Sequence, residues 1–140
     1  MHPRDGWVRR QPVMEFVAFA HPNPDDLLAR FTRMGYQLTA RHKTKAIELW
    51  QQGDITYILN EEPGSNASRF VDDHGPCAPS SGWRVSDADH ALRHAVKNGA
   101  EPYDKEGKSL DLPAIVGSGG SLLLFTDRYG DANPYDANFD

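Results

Sequence analysis

The stretch from Ala46 to Glu62, AIELWQQGDITYILNEE, constrains this chain more than any other. Two short runs rich in β-branched and aromatic residues flank Gln51-Gln52-Gly53-Asp54, the pattern of a β-hairpin with glycine in its turn. In the second arm Ile55, Tyr57 and Leu59 alternate with Thr56, Ile58 and Asn60, so one face is apolar and the other mixed. Pro63 and Gly64 stop it, because proline cannot donate to a ladder and glycine favours a turn. A lone hairpin is marginal in water. The rest of the chain must therefore supply more strands and a cover for the apolar face.

The whole sequence has 140 residues, which suits one domain or two small similar modules sharing a core, and can bury that core without staples. Charged residues make up 25% and hydrophobic ones 39%, as in a globular protein, and the net charge of −5 with scattered lysines and arginines argues against nucleic acid as a partner. No apolar run approaches the roughly 20 residues of a membrane span. The segment MHPRDGWVRRQP lacks the apolar centre of a signal peptide and reads as a loose arm. A single cysteine, Cys77, excludes an internal disulfide and fits a reducing, cytoplasmic setting. Its place in Gly-Pro-Cys-Ala, close to His74, reads as burial at a strand start rather than as a nucleophile.

From Val13 to Ala20 a near-continuous apolar run predicts a first, central strand. His21 shapes the break that follows. Asn23 can cap a helix, Pro24 suits its first position, and Asp25 and Asp26 favour its positive end. Leu27, Leu28, Phe31 and Met34 recur at helical spacing before Gly35. Tyr36 to His42 alternates as a second strand, and the hairpin supplies two more. A connector over 63–77 carries a short helix with Phe70 and Val71, capped by Ser65 or Asn66. The pattern then restarts. A strand spans Ala78 to Val85, weakened by Pro79, Ser80, Ser81 and Gly82. A helix capped by Ser86 or Asp87 presents Ala91, Leu92, Ala95 and Val96, and Asn98-Gly99 ends it. Strands are predicted at Pro102–Glu106, Leu110–Val116 and Ser121–Thr126. Residues 131–140 read as a tail or interdomain linker.

Each half thus runs β-α-β-β-β, one over 13–62 and the other over 78–127, and neither closes a core alone. The expected fold is α+β, with the two modules paired in a curved, half-open, eight-stranded mixed sheet and helices outside.

This order resembles the vicinal-oxygen-chelate superfamily of glyoxalases, bleomycin-resistance proteins and extradiol dioxygenases. The stretches FAHPNP (Phe19 to Pro24), FTRMG (Phe31 to Gly35), ELWQQGDITYILNEEPGS (Glu48 to Ser65), HGPCAPS (His74 to Ser80), LDLPAI (Leu110 to Ile115) and DRYG (Asp127 to Gly130) resemble the N-terminal domain of bacterial 4-hydroxyphenylpyruvate dioxygenases. The likeness covers about 13–140, with the domain itself over 13–130. It implies a lineage in tyrosine catabolism, where the family converts 4-hydroxyphenylpyruvate to homogentisate with Fe(II) and O2. It also implies that the two histidines and one carboxylate holding iron belong to a second, C-terminal domain absent here. On that likeness this chain is a non-catalytic scaffold that binds no cofactor. It is expected to pack against the catalytic domain or to form a homodimer covering its sheet edges.

By strand position, the superfamily's inward ligand slots fall on Phe16, Ser81 and Leu124, none of them a good ligand for non-haem iron. A slip of one residue reaches Glu15, expected on the wrong side. His90 and His94 share one helix face, but no third ligand is set by spacing. His42 sits between Arg41 and Lys43, which disfavour a bound cation. Glu48, Glu61 and Glu62 are the carboxylates nearest the concave side, and read as solvated. Ser80-Ser81 has no partner histidine and aspartate fixed by sequence. Gly117 to Gly120 joins two strands and so reads as a turn rather than a phosphate cradle. The competing readings are a free-standing dimer of the bleomycin-resistance type, with a concave ligand groove lined by Trp50, Tyr57, Trp83 and Phe125, and a metal-dependent glyoxalase-like lyase.

Overall fold

A computed structural model of the chain describes residues 13–128, 134, 135 and 138–140. The expected arm over 1–12 and part of the DRYG stretch lie outside the described residues. The elements run β1 (Val13–Ala20), α1 (Pro24–Arg33), β2 (Gln37–Arg41), β3 (Ile47–Gln52), β4 (Ile55–Asn60), α2 (Asn66–His74), β5 (Cys77–Arg84), α3 (Ala88–Lys97), β6 (Ala114–Val116), a 3-10 turn (Ser118–Gly120) and β7 (Leu122–Thr126). The strands form one mixed sheet in the order β2-β3-β4-β1-β5-β7-β6. The two modules meet through the antiparallel pair β1–β5, and each first strand pairs in parallel with its own module's last, β1 with β4 and β5 with β7.

The hairpin forms as read. β3 and β4 pair from Ile47↔Asn60 to Gln52↔Ile55, and Gly53 turns the chain at φ 57°. That left-handed angle is open to glycine at little cost. Helix starts follow the sequence with one exception. Ser65 Oγ accepts from Ser68 N at 3.0 Å and caps α2, and an Asp87 carboxylate oxygen accepts from His90 N at 3.0 Å and caps α3. At α1 the Asn23 side chain makes no cap bond. Its backbone carbonyl accepts from Asp26 N, while its own amide donates to His21 Nδ1 at 2.8 Å. On α3, Val96 is exposed rather than packed.

The sheet has seven strands rather than eight among the described residues. Around Pro102–Glu106 only an isolated bridge forms, Pro102↔Ile115. Proline gives the ladder no donor, and the chain turns away at Gly107. The neighbouring strand shortens to Ala114–Val116, because Leu112 N folds back onto the Leu110 carbonyl and Pro113 interrupts pairing. Leu110 still reaches the core, 4% exposed.

Register assigns the faces. Phe16, Ala18, Ile47, Leu49, Ile58, Leu122 and Leu124 project to one side and form a single cluster with Leu110 and Ala114. This side, away from α1, holds the main core and corresponds to the trough expected from the sequence. Tyr135 and Phe139, 4% and 6% exposed, belong to the same cluster. The last residues therefore do not hang free as the sequence suggested. Arg41 and Asp140 exchange backbone bonds of 3.1 and 2.9 Å, and Lys43 N donates to the Asn138 carbonyl at 2.8 Å. Here an aromatic pair is the anchor and the edge of β2 is the rail, so the segment strands itself on the sheet.

On the opposite face Phe19, Phe31, Tyr36 and Tyr57 build a second aromatic layer beneath α1, with Tyr36 stacked on Tyr57 at 4.3 Å between centroids.

Candidate functional site in the trough

The trough is where a curved sheet of this kind offers a protected space, so its side chains decide what the domain can do. At its centre Phe16 crosses β5 directly over Gly82, its register partner. A Cβ at position 82 would fall inside the Phe16 ring. Glycine, a poor strand former in isolation, is thus required here by a close approach. Phe16 and Leu124 fill the middle of the trough, 1% and 0% exposed.

Ser81 does not face the trough. It pairs with Val17 and Leu123, and its Oγ accepts from Trp83 Nε1 at 2.9 Å on the opposite side of the sheet. The inward hydroxyl is that of its neighbour Ser80, which lies 3.4 Å from Ser109 Oγ, itself bonded to Asn60 Nδ2 at 3.1 Å. The inward slot expected at Ser81 by strand position is therefore one residue out at β5. The run Pro79–Gly82 carries no alternation of polarity by which sequence could set it.

Glu15 faces inward, against expectation. The β1–β5 ladder pairs Met14 with Trp83 and Phe16 with Gly82, leaving Glu15 as an extra residue in a β-bulge. A bulge places two successive side chains on one face. Glu15 is 7% exposed and fully engaged: Arg84 Nε donates to Oε1 at 2.7 Å and the Tyr135 hydroxyl donates to Oε2 at 2.9 Å. Thr56 adds a further hydrogen bond to the phenol. Burial, with the carboxylate beside it, pushes the Tyr135 hydroxyl far above its ordinary range, so it remains a donor. Every buried side-chain nitrogen and oxygen among the described residues has a partner. A glutamate inside the apolar run VMEFVAFA was the one signal for this group, since a buried carboxylate needs a cation.

The groove expected from Trp50, Tyr57, Trp83 and Phe125 does not line the trough. Register puts all four on the opposite face. Tyr57 and Trp50 pack around Phe31 of α1 at 5.1 and 6.0 Å between centroids. The alternation in the hairpin was sound, but sequence could not say which face would curve inward. A shallow groove of about 370 Å³ on this side is bordered by Phe19, Leu27, Phe31, Met34 and Tyr57, with Arg30 and Arg33 at its rim.

A larger open cleft, about 1030 Å³, lies where the loop over 103–111 meets α2 and the end of β4. Two of the cations that line it are engaged: Arg69 bonds the Gly64 carbonyl and the Tyr103 hydroxyl, and Lys108 Nζ bonds the Leu112 carbonyl at 2.7 Å. Glu62, at the same cleft, accepts from Ala46 N at 2.6 Å. Glu48 bonds Arg41 and Trp50 instead of solvent alone. Glu61 is pushed up by burial, with Glu48 and Asp25 adding to the effect.

Of the histidines, His74 stacks on Phe70 at 4.3 Å, and the His90 and His94 rings stand 6.1 Å apart on exposed α3. Among the described residues no group of three or more His, Cys, Asp and Glu side chains gathers as a metal site. Burial pushes the Cys77 thiol up, the opposite of an activated nucleophile.

His42 sits edge-on to Phe139 at 5.1 Å between centroids, and its Nδ1 accepts from the backbone amides of Thr44 and Lys45 at 3.1 and 3.0 Å. Burial and then Lys45 lower its pKa from the ordinary 6.5, with Glu62 opposing. Between pH 6.5 and the lowered folded value the unfolded chain holds more protons, so stability falls as pH falls through that window. We expect denaturant midpoints of the wild type to drop across it relative to His42→Asn, which keeps an acceptor for the two amides. Parallel pH profiles for the two proteins would remove His42 as the cause.

A sequence model of the family described as hydroxyphenylpyruvate dioxygenase, HPPD, N-terminal, matches residues 11–140. Hemolysin VllY of Vibrio vulnificus is 41% identical over 128 residues, covering 90% of this chain and 36% of that protein. The 4-hydroxyphenylpyruvate dioxygenase of Pseudomonas sp. strain P.J. 874 is also 41% identical over 128 residues, covering 89% of this chain and 36% of the relative. The chain therefore spans little more than a third of the length of these relatives. Among solved structures, a xylose isomerase-like TIM barrel/4-hydroxyphenylpyruvate dioxygenase fusion protein superposes with a TM-score of 0.79 at 30% identity, over 91% of this chain and 21% of the other.

Proposed function

This chain belongs to the family of hydroxyphenylpyruvate dioxygenase N-terminal domains, and on that premise we propose that it is the structural half of a longer dioxygenase-type polypeptide and holds no iron itself. The observation that carries the reading is the filling of the trough. Phe16 and Leu124 occupy its centre, and Glu15, the buried carboxylate among the described residues, is matched by Arg84.

Non-haem iron needs two imidazoles and a carboxylate on one face, with positions left open for oxygen and substrate. The described trough side chains offer no imidazole, and a guanidinium 2.7 Å from the carboxylate repels a cation. These residues do not fit Fe(II). In this proposal the iron, its ligands and the oxidation of 4-hydroxyphenylpyruvate to homogentisate belong to a C-terminal domain of the kind that completes the longer relatives. This half supplies a rigid wall for that domain, and the domain core runs to Asp140 instead of ending near 130. Such an assembly works in the cytoplasm and pairs as a dimer. Among the described residues no helix is long and apolar enough to cross a membrane.

Anaerobic Fe(II) loading of the purified chain, followed by metal analysis and oxygen uptake with 4-hydroxyphenylpyruvate, tests this. We expect far less than one iron per chain and no uptake. Stoichiometric iron with turnover would make the domain an enzyme and overturn the proposal.

A further inference from the structure

At one end of the trough a phenolic oxygen meets groups carried on three strands. Glu15 on β1 and Thr56 on β4 both hydrogen-bond one phenolic oxygen, and Arg84 on β5 fixes the carboxylate that accepts from it. The ring belongs to the same buried cluster as Phe16 and Leu124, and Phe139 meets it edge-on at 6.2 Å between centroids. The phenol present is the chain's own. Tyr135 lies 120 residues away from Glu15 in sequence and enters as part of the C-terminal segment, not from the sheet. We infer that the domain keeps a phenol-binding pocket and fills it in cis with Tyr135, so that the C-terminal segment acts as a built-in competitor that closes the trough to free ligands.

The physical basis is the combination of a specific polar end and a tether. The buried Glu15 carboxylate discriminates a phenol from a bare ring, because a bare ring leaves Oε2 without the donor it now has, while Oε1 keeps Arg84 and Thr56 keeps Gln51. The tether is the backbone exchange of Arg41 with Asp140, the bond from Lys43 N to Asn138, and the Phe139 ring against His42. It makes Tyr135 an intramolecular occupant, with which any free ligand has to compete. The inference stands on these contacts and not on the family reading, so the iron assay and the assay below fail separately.

The test is chemical rescue in the full chain. Tyr135→Ala removes the cis ring, and phenol then serves as the probe with benzene as its apolar counterpart. We expect phenol to raise the unfolding temperature of Tyr135→Ala in a concentration-dependent manner and to bind about tenfold or more tightly than benzene by calorimetry. Wild type should bind neither over the same range. Adding Glu15→Gln to Tyr135→Ala should erase most of the preference for phenol. Equal binding of phenol and benzene, binding of neither, or binding of phenol to wild type would overturn the inference. If Tyr135→Ala does not fold, the wild-type hydroxyl proton decides the matter. A slowly exchanging Tyr135 hydroxyl resonance that couples to Glu15 in proton NMR supports the pocket, and a hydroxyl in fast exchange with water overturns it.

Discussion

Phe16→Ala is expected to cost about 3–5 kcal/mol of stability, the range for emptying a buried aromatic site. The ring is 1% exposed and lies over β5, across the central strand pair through which the two modules meet. Gly82→Ala should cost about 1–3 kcal/mol for the opposite reason, because the new methyl enters the space of that ring. The two losses are not additive. Once Phe16 is alanine, a methyl at 82 meets no ring and occupies part of the void, so the double variant should be no less stable than Phe16→Ala alone. Urea unfolding of the four proteins measures this coupling. Strictly additive losses would mean that the ring and the strand do not meet as the structure has them.

Glu15→Ala should be the second large effect, about 2–4 kcal/mol, below the upper end for a buried pair because Arg84 keeps 30% of its side chain exposed. The loss comes from what is left behind: a guanidinium without its carboxylate and a phenol without its main acceptor. Replacing both charges, with Glu15→Leu and Arg84→Met together, should recover most of that loss, since desolvation of the pair falls away and Thr56 still serves Tyr135. Recovery in the double variant shows that the pair orders the trough and the C-terminal segment rather than adding net stability. A double variant as unstable as Glu15→Ala would instead make the ion pair a net stabilising element.

Local chemistry made much of this fold readable. The β-α-β-β-β repeat followed from alternation, from the Gly53 turn, and from Ser65 and Asp87 as caps, because each of these depends on neighbours a few residues away. The pattern failed where pairing partners come from far along the chain. Pro102 and Pro113 left the second module a strand short by withholding donors, and this was visible in the letters but outweighed by expected symmetry. The faces were less accessible. Trp50, Tyr57, Trp83 and Phe125 are equally plausible on either side of a strand until the direction of curvature is known.

The family, the modular order and the hairpin at the centre of the first module were therefore determined by the sequence itself, since propensity and periodicity act over one element at a time. Tertiary structure alone decided that Glu15 turns inward, that Ser81 turns away, and that Tyr135 and Phe139 close the trough. The physical reason is that a single bulged residue inverts the facing of a side chain, and a ring 120 positions away supplies its hydrogen bond. Neither leaves a periodic trace in the chain.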